Sequence, residues 1–284
     1  MPLFIDDLEF IIEMIMENYS VLFFTITLFI YFFATVLYII YAIFKKNTAG
    51  NLATWVLGAG IAVQMVALIS RTKETGYFPF MTIYETLVFW SWIIALIYLF
   101  LQFRFRIKAL GALITPITFL IIAVAFALPP EYQKSIPLAP ALQSHWLEFH
   151  IITCFISYAC FAISFVVGIA YLLKRRNDLE DSLAKDKLDM LGYKSIGLGF
   201  PFLALGIISG AIWTNAAWGT YWSWDPKETW ALVTWFIYAI YLHLRITMKR
   251  KGESAAITSI IGFVCVIFTF VGVNFLLPGL HSYL

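Results

Sequence analysis

Charged residues are scarce in this sequence: Asp, Glu, Lys and Arg make up 13% of its 284 residues, against 62% hydrophobic residues. A soluble domain cannot hide that much apolar surface, so the composition predicts an integral membrane protein. The apolar runs have helical periodicity and lengths of about 20 residues, which excludes a transmembrane β-barrel. The net charge of +2 gives no indication of a nucleic-acid partner.

Cysteine is also rare, and no CxxC pair occurs. Cys154, Cys160 and Cys265 all lie in apolar runs, which predicts small buried side chains rather than a redox or metal site. The sequence lacks a nucleotide-binding loop, a metalloprotease helix and a nucleophile elbow. Its first residues are acidic rather than basic, which favours a first span that is its own anchor over a cleavable signal peptide.

Hydropathy predicts eight spans, so the expected fold class is an all-α polytopic membrane helix bundle, with one membrane domain over residues 1–284. The predicted spans are 19–44, 52–70, 83–101, 107–128, 150–173, 195–213, 226–247 and 255–277. Most basic residues fall in alternate connectors, which predicts that those connectors are cytoplasmic and that both termini lie outside.

The most unusual stretch spans residues 213–245 and holds six of the ten tryptophans. A short non-helical segment is expected first, and a helix from Pro226, because Asp225 is a good N-cap and Glu228 completes a capping box. An interfacial aromatic belt is one explanation, but five indoles at one junction predict a stacking surface for a flat apolar ligand. These indoles are Trp213, Trp218, Trp222, Trp224 and Trp230.

The four histidines fall in two places. His145, His150 and His281 are predicted at or near the outer face, whereas His243 lies about 26 Å along its helix as a buried imidazole inside the membrane. Two neutral imidazoles beside an aromatic floor suit an iron porphyrin, and His150 and His281 are the candidates. His145 is about 140° away from His150 on a helix, so both cannot face one metal. A structural histidine bonded to a hydroxyl stays the alternative for His243.

The remaining charged candidates have structural explanations. Thr82 and Glu85 form a predicted capping box. Arg71, Lys73 and Lys227 could pair with the carboxylates of a ligand, although ordinary surface charge explains each of them equally well.

We find a resemblance to the WWD signature of haem-handling proteins of cytochrome c maturation in WGTYWSWDPKETW. The chain as a whole resembles the CcsA (ResC) family of the System II pathway. The resemblance covers most of residues 70–284 and also involves GYFPFMTIYETLVFWSW, SHWLEFHIITCFISYACF, WFIYAIYLHLR and PGLHSYL.

This resemblance implies haem b as substrate, with His150 and His281 as axial ligands outside and His243 as an iron ligand in the membrane. The WWD residues implied to hold the haem edge are Trp218, Trp222, Trp224 and Asp225. Expected partners are a CcsB (ResB) membrane protein that supplies a second membrane histidine, apocytochrome c, and a thiol-reducing protein nearby.

The implied function is haem transport or presentation across the membrane and covalent attachment of haem to the CxxCH motif of apocytochrome c. This enzyme activity, a cytochrome c haem attachment, is expected of the complex with CcsB, with Asp225 and Glu228 as weak candidates for catalytic acids. The expected location is the bacterial cytoplasmic membrane, with the tryptophan-rich WWD loop (213–228) on the outer face.

Two other functions stay open. One is a haem chaperone of the CcmC type, which delivers haem to a carrier without forming thioether bonds. The other is a permease for a flat or anionic solute, against which the lack of an internal repeat counts.

Overall fold

The computed structural model describes residues 19–135, 137–174, 179–277 and 279, apart from the side chains of residues 179–183, 274 and 275. Eight helices in this part of the chain are long and apolar enough to cross a membrane, which confirms the predicted fold class. They are α1 (Tyr19–Phe44), α2 (Asn47–Thr75), α3 (Ile83–Phe105), α4 (Gly111–Ala127), α5 (His145–Leu173), α6 (Leu179–Trp218), α7 (Pro226–Ile246) and α8 (Glu253–Ile267). A π-helical segment, Phe268–Gly272, continues α8 into a last turn, Val273–Leu276.

Helix α6 differs most from the prediction. The predicted span is 195–213, whereas the helix has 40 residues, Leu179–Trp218, and extends beyond both predicted ends. Its first turns contain Lys, Asp and Glu, which are compatible with a helix, and they take up most of the connector expected between the spans 150–173 and 195–213. At the other end no glycine or proline lies between Trp213 and Gly219, so the helix continues. It ends at Gly219, which has a φ of +77°. The prediction that the tryptophan segment is non-helical from Trp213 is therefore wrong, and the non-helical part begins at Gly219.

The chain divides into two compact units, Met1–Pro137 and Leu138–Leu284. The first unit contains α1 to α4 and the second contains α5 to α8. The single-domain description of the chain stays a prediction.

Polar side chains tie the helices of the first unit together. Tyr31 on α1 donates a hydrogen bond of 2.7 Å to Gln64 on α2, and the Gln64 amide donates to Ser91 on α3 at 2.9 Å. Gln102 on α3 accepts from Tyr38 and Tyr98, each at 2.7 Å. Because buried polar groups need partners within an apolar bundle, these bonds specify how α1, α2 and α3 pack.

The start of α3 confirms the capping box of Thr82 and Glu85. The other Glu85 oxygen accepts from Arg71 Nε at 2.9 Å, and Arg71 Nη2 donates to the Gln133 carbonyl at 3.0 Å. Arg71 is buried, so it belongs to the core of the first unit and is not the surface cation or ligand partner that we expected.

Close helix packing forms the core of the second unit. The Tyr238 ring on α7 stacks on Phe161 of α5 with ring centroids 3.6 Å apart. Cys160 is buried as predicted, whereas Cys154 and Cys265 are half-buried, and all three are free thiols. Gly206 of α6 allows α5 to approach closely, since a Cβ there would lie 2.5 Å from Cys154 Sγ.

Candidate functional site

Trp213 anchors the end of the second unit that carries the tryptophan segment, called the tryptophan end below. This indole is 5% exposed, and its Nε1 donates to the Ala141 carbonyl at 2.8 Å. Its ring lies edge-on to Trp218, with centroids 4.9 Å apart, and nearly parallel to His150 at 6.5 Å. Trp213 is therefore a wall beside His150 and ties α6 to the chain before α5.

The His150 imidazole is held by α6. Its Nδ1 lies 2.7 Å from the Gly206 carbonyl oxygen, and a Cβ at Gly210 would come within 2.7 Å of the same nitrogen. A neutral imidazole that donates from Nδ1 carries its lone pair at Nε2. Donation of the other ring N–H to a carbonyl is the usual arrangement of a histidine that binds a metal.

His145 has a different environment although it is on the same helix. It is the first residue of α5, its side chain is fully exposed, and Nδ1 lies 3.0 Å from Glu148 Oε2. No packing from a neighbouring helix orients this ring among the contacts that the structure describes. Of the two histidines, His150 has the surroundings expected of an oriented ligand.

The non-helical residues 219–225 present aromatic side chains. Trp224 is 68% exposed and Tyr221 is 62% exposed, while Trp218, at the end of α6, is 37% exposed. We call Trp218, Tyr221 and Trp224 the aromatic shelf. Trp222 is half-buried and meets Trp224 edge to face, with centroids 5.8 Å apart.

Two tryptophans near the segment lie elsewhere. The Trp230 ring packs on Phe268 with centroids 4.4 Å apart, and Trp235 stacks on Phe200 at 5.1 Å. The predicted stacking surface was a set of tryptophans close together in the sequence, so it included Trp230 and left out Tyr221. The alternation of aromatic residues in TYWSW was a signal for Tyr221.

Asp225 and Glu228 form the predicted capping box at the start of α7. Asp225 is 6% exposed, and its Oδ1 accepts from the Lys227 amide at 2.9 Å. Oε2 of Glu228 accepts from the Asp225 amide at 3.2 Å and from the Ser223 amide at 2.9 Å. Both carboxylates thus hold the backbone where the shelf joins α7.

The chain after α8 returns to this capping box. A Cβ at Gly279 would lie 2.5 Å from Asp225 Oδ2 and 3.1 Å from Pro226 Cδ, so the Gly279 backbone packs against the start of α7. His281, two positions further on, lies outside the described residues, and its role stays a prediction.

His243 lies near the other end of the second unit, in the last turn of α7. Its side chain is exposed rather than packed against the other helices, and Nδ1 lies 3.4 Å from Thr247 Oγ1. Its role as an iron ligand inside the membrane stays a prediction. His243 lies on the same face of α7 as three exposed apolar residues at helical spacing. Together they form an exposed stripe of Val233, Phe236, Ile240 and His243.

On the opposite face of α7 from His243, an ion pair joins this helix to α6. Arg245 Nη1 donates to Asp189 Oδ1 of α6 at 3.0 Å, and its Nη2 also bonds the other oxygen of that carboxylate. The Gly252 amide, before α8, donates to Asp189 Oδ1 at 2.9 Å. One carboxylate therefore joins α6, α7 and the start of α8, and we call this arrangement the Asp189 clamp.

Comparison with known proteins identifies the family. A family model for the cytochrome C assembly protein matches residues 80–281. The cytochrome c biogenesis protein CcsA of Chlamydomonas reinhardtii is 45% identical over 235 residues, which is 80% of this chain and 67% of the relative. The CcsA of Mesostigma viride is 41% identical over 273 residues, 85% of this chain and 89% of the relative.

The chain belongs to the CcsA branch of the cytochrome c assembly protein family. It is therefore an integral membrane protein of cytochrome c biogenesis that handles haem in c-type cytochrome assembly. The family resemblance seen in the sequence is confirmed.

A solved structure shows that the fold is shared more widely. The chain superposes on the cytochrome c haem lyase CcmF with a TM-score of 0.67 and 14% identity, covering 88% of this chain and 46% of that one. This chain thus spans about half the length of the lyase. At this identity the likeness shows the fold alone.

Proposed function

We propose that this chain is the CcsA part of a CcsA/CcsB cytochrome c synthetase, which binds haem at the tryptophan end and presents it to apocytochrome c. The observation that carries the proposal is His150, whose Nδ1 contacts the Gly206 carbonyl beside Trp213. A neutral imidazole that donates from Nδ1 to this carbonyl has its lone pair on Nε2, and Nε2 is the iron-binding nitrogen in this proposal.

The donors at this end suit haem as a substrate. His150 supplies a nitrogen for iron, and the aromatic shelf supplies exposed aromatic rings for stacking on a porphyrin. The second axial ligand in this proposal is His281. The packing of Gly279 on Asp225 supports it, because two further residues of chain extend no more than about 7 Å.

His243 suits a haem site that needs a second protein. An imidazole in an apolar, exposed stripe is costly in lipid, and an intramembrane ionisable group usually has a functional partner. In this proposal the CcsB protein covers the stripe and supplies the opposing histidine. The Asp189 clamp keeps Arg245 on the inner face of α7, about 200° around the helix from His243.

The chemistry proposed for the outer site needs positioning rather than a strong acid. Each thiol of a reduced CxxCH motif adds across one vinyl group, so that sulfur bonds to one vinyl carbon and hydrogen to the other, without a net change of oxidation state. The histidine of that motif replaces one axial ligand. Asp225 and Glu228 are engaged in backbone hydrogen bonds, which favours a positioning role for both over proton transfer.

The proposed location follows from charge. The tryptophan end faces the outside of a bacterial cytoplasmic membrane in this proposal, because the basic connectors lie on the other side. A thiol-reducing protein on the outer side would keep the acceptor cysteines reduced.

The axial-ligand assignment is tested by His150→Ala, with His145→Ala as the matched control on the same helix. Both are purified with CcsB, and their haem absorption spectra are recorded. We expect His150→Ala to lose the six-coordinate low-spin spectrum and to regain it with added imidazole, while His145→Ala keeps it. Full haem content with an unchanged spectrum in His150→Ala would discard the assignment.

A second measurement distinguishes the synthetase from a CcmC-like haem chaperone. The family of this chain and its proposed haem site are compatible with either function. The chain and CcsB are expressed with an apocytochrome that carries CxxCH, and covalent haem is detected on the denatured acceptor. A synthetase labels the acceptor without any small haem carrier. A chaperone labels nothing until a carrier and a separate lyase are supplied.

A further inference from the structure

Trp224 has a backbone conformation that its side chain disfavours. Its φ is +59°, in the left-handed region that bulky residues rarely adopt. The other non-glycine residues with positive φ among the described residues are Lys45, Arg106 and Lys249, which have long flexible side chains and follow helix ends. Trp224 instead lies in the non-helical segment just before α7 begins.

Burial of the indole does not compensate for this strain, since Trp224 is 68% exposed and its ring contact is the edge-to-face pair with Trp222. A strained residue persists only where its surroundings hold it, and such residues concentrate at functional sites.

The group that holds Trp224 is the Glu228 carboxylate. Its Oε2 accepts from the amides of Ser223 and Asp225, at 2.9 and 3.2 Å, and these are the residues on either side of Trp224. The same oxygen accepts from Ser223 Oγ at 3.3 Å. Thr229 Oγ1, one residue along α7, donates to the Trp224 carbonyl at 3.3 Å.

These bonds exceed what a helix cap requires. In a capping box the carboxylate at the N3 position accepts only from the N-cap amide, which here is that of Asp225. The bond to Ser223 lies on the other side of Trp224 and adds nothing to the first turn of α7. Together the two amide bonds bracket the strained residue and leave its indole facing solvent.

We propose that Glu228 is a positioning residue that holds Trp224 out on the aromatic shelf, where the indole contacts the flat macrocycle of haem. This inference rests on the proposed function. It replaces a proton-transfer role for Glu228 with a structural one, because Glu228 acts on the ligand only through the backbone of Trp224.

The test is a double-mutant cycle that measures the affinity of the purified complex with CcsB for added haemin under reducing conditions. The variants are Glu228→Ala, Trp224→Gly and the double variant. Glycine adopts a left-handed backbone without strain and carries no indole, so Trp224→Gly removes both the strained residue and its contact.

We expect each single variant to bind haem about three- to tenfold more weakly, the range of one aromatic stacking contact. The double variant should be no weaker than Trp224→Gly alone, because Glu228 then has nothing to hold. Glu228→Gln, whose amide oxygen still accepts from both N–H groups, should recover most of the affinity. Glu148→Ala removes a carboxylate near the start of α5 and should bind like wild type.

The proposal would be overturned if the losses of haem affinity in the two single variants added up in the double variant. It would also be overturned if Glu228→Ala bound haem like wild type while Trp224→Gly bound it weakly. If Glu228→Ala fails to fold, Glu228→Asp takes its place in the cycle, because its shorter side chain keeps a carboxylate in the first turn of α7 but cannot reach the amides of both Ser223 and Asp225. Should wild-type complex bind no haem, the proposed function fails instead, so the two failures can be distinguished.

Discussion

The two ends of the second unit orient their histidines differently. At the tryptophan end the His150 ring lies between the Gly206 carbonyl and Trp213, both supplied by α6. At the other end the His243 ring is exposed, and its Nδ1 lies 3.4 Å from Thr247 Oγ1, one turn further along the chain. The chain thus orients the His150 imidazole by its own packing, whereas in the proposed function a partner orients His243.

Packing explains this difference. Helix α6 approaches α5 closely at glycines, so that backbone atoms of α6 reach the His150 ring. Helix α7 turns Tyr238, Tyr241 and Arg245 inwards, and residues on its opposite face, including His243, remain uncovered in this chain. Four substitutions test this difference between the two ends, and we order them by their expected effect on stability.

The largest effect is expected at the Asp189 clamp. Asp189→Ala leaves the buried Arg245 guanidinium without its carboxylate and should lower the free energy of unfolding by about 3 kcal/mol or more. Thermal unfolding in detergent measures this loss. Asp186→Ala, at an exposed position of the same helix, is the control. Equal stability of the two variants would mean that the clamp does not secure this end.

Gly210→Ala should disturb the tryptophan end specifically. The added Cβ would lie 2.7 Å from His150 Nδ1, so the ring must move away from α6, at a cost of about 1–3 kcal/mol. We expect a perturbed haem spectrum together with a lower unfolding temperature. Gly197→Ala is the matched control, because a Cβ there meets nothing within 4 Å. A wild-type spectrum in Gly210→Ala would argue against orientation of His150 by α6.

Trp213→Phe tests the wall beside His150 with a smaller change. Phenylalanine keeps an aromatic ring but loses the bond from Nε1 to the carbonyl of the half-buried Ala141, at a cost of about 1 kcal/mol. Unfolding measurements should show this loss, and the haem spectrum should remain six-coordinate. Loss of the low-spin spectrum would instead assign the indole a direct part in orienting the ligand.

The smallest effect on stability is expected for His243→Ala. Its exposed side chain has little to lose, so the free energy of unfolding of the isolated chain should change by no more than about 0.5 kcal/mol. Haem bound in the complex with CcsB should nevertheless decrease, since one proposed ligand is missing. A large loss of stability with unchanged haem content would make His243 a packing residue and remove the contrast between the two ends.

Much of the molecule could be predicted from local features of the sequence. Span number follows from hydropathy alone, and both capping boxes, Thr82 with Glu85 and Asp225 with Glu228, depend on residues three positions apart. The family follows from motifs that can be read along the chain. These features need no knowledge of which helices are neighbours.

Local features of the chain are thus sufficient to predict the class of protein, the number of spans, the start of α7 and the family. The burial of Arg71, the exposure of His243, the contact of α6 with His150 and the bracketing of Trp224 by Glu228 follow from the packing of the folded chain. Burial, ring orientation and backbone strain depend on groups that distant parts of the chain or the folded backbone bring together. Periodicity and spacing along the sequence do not record which groups those are.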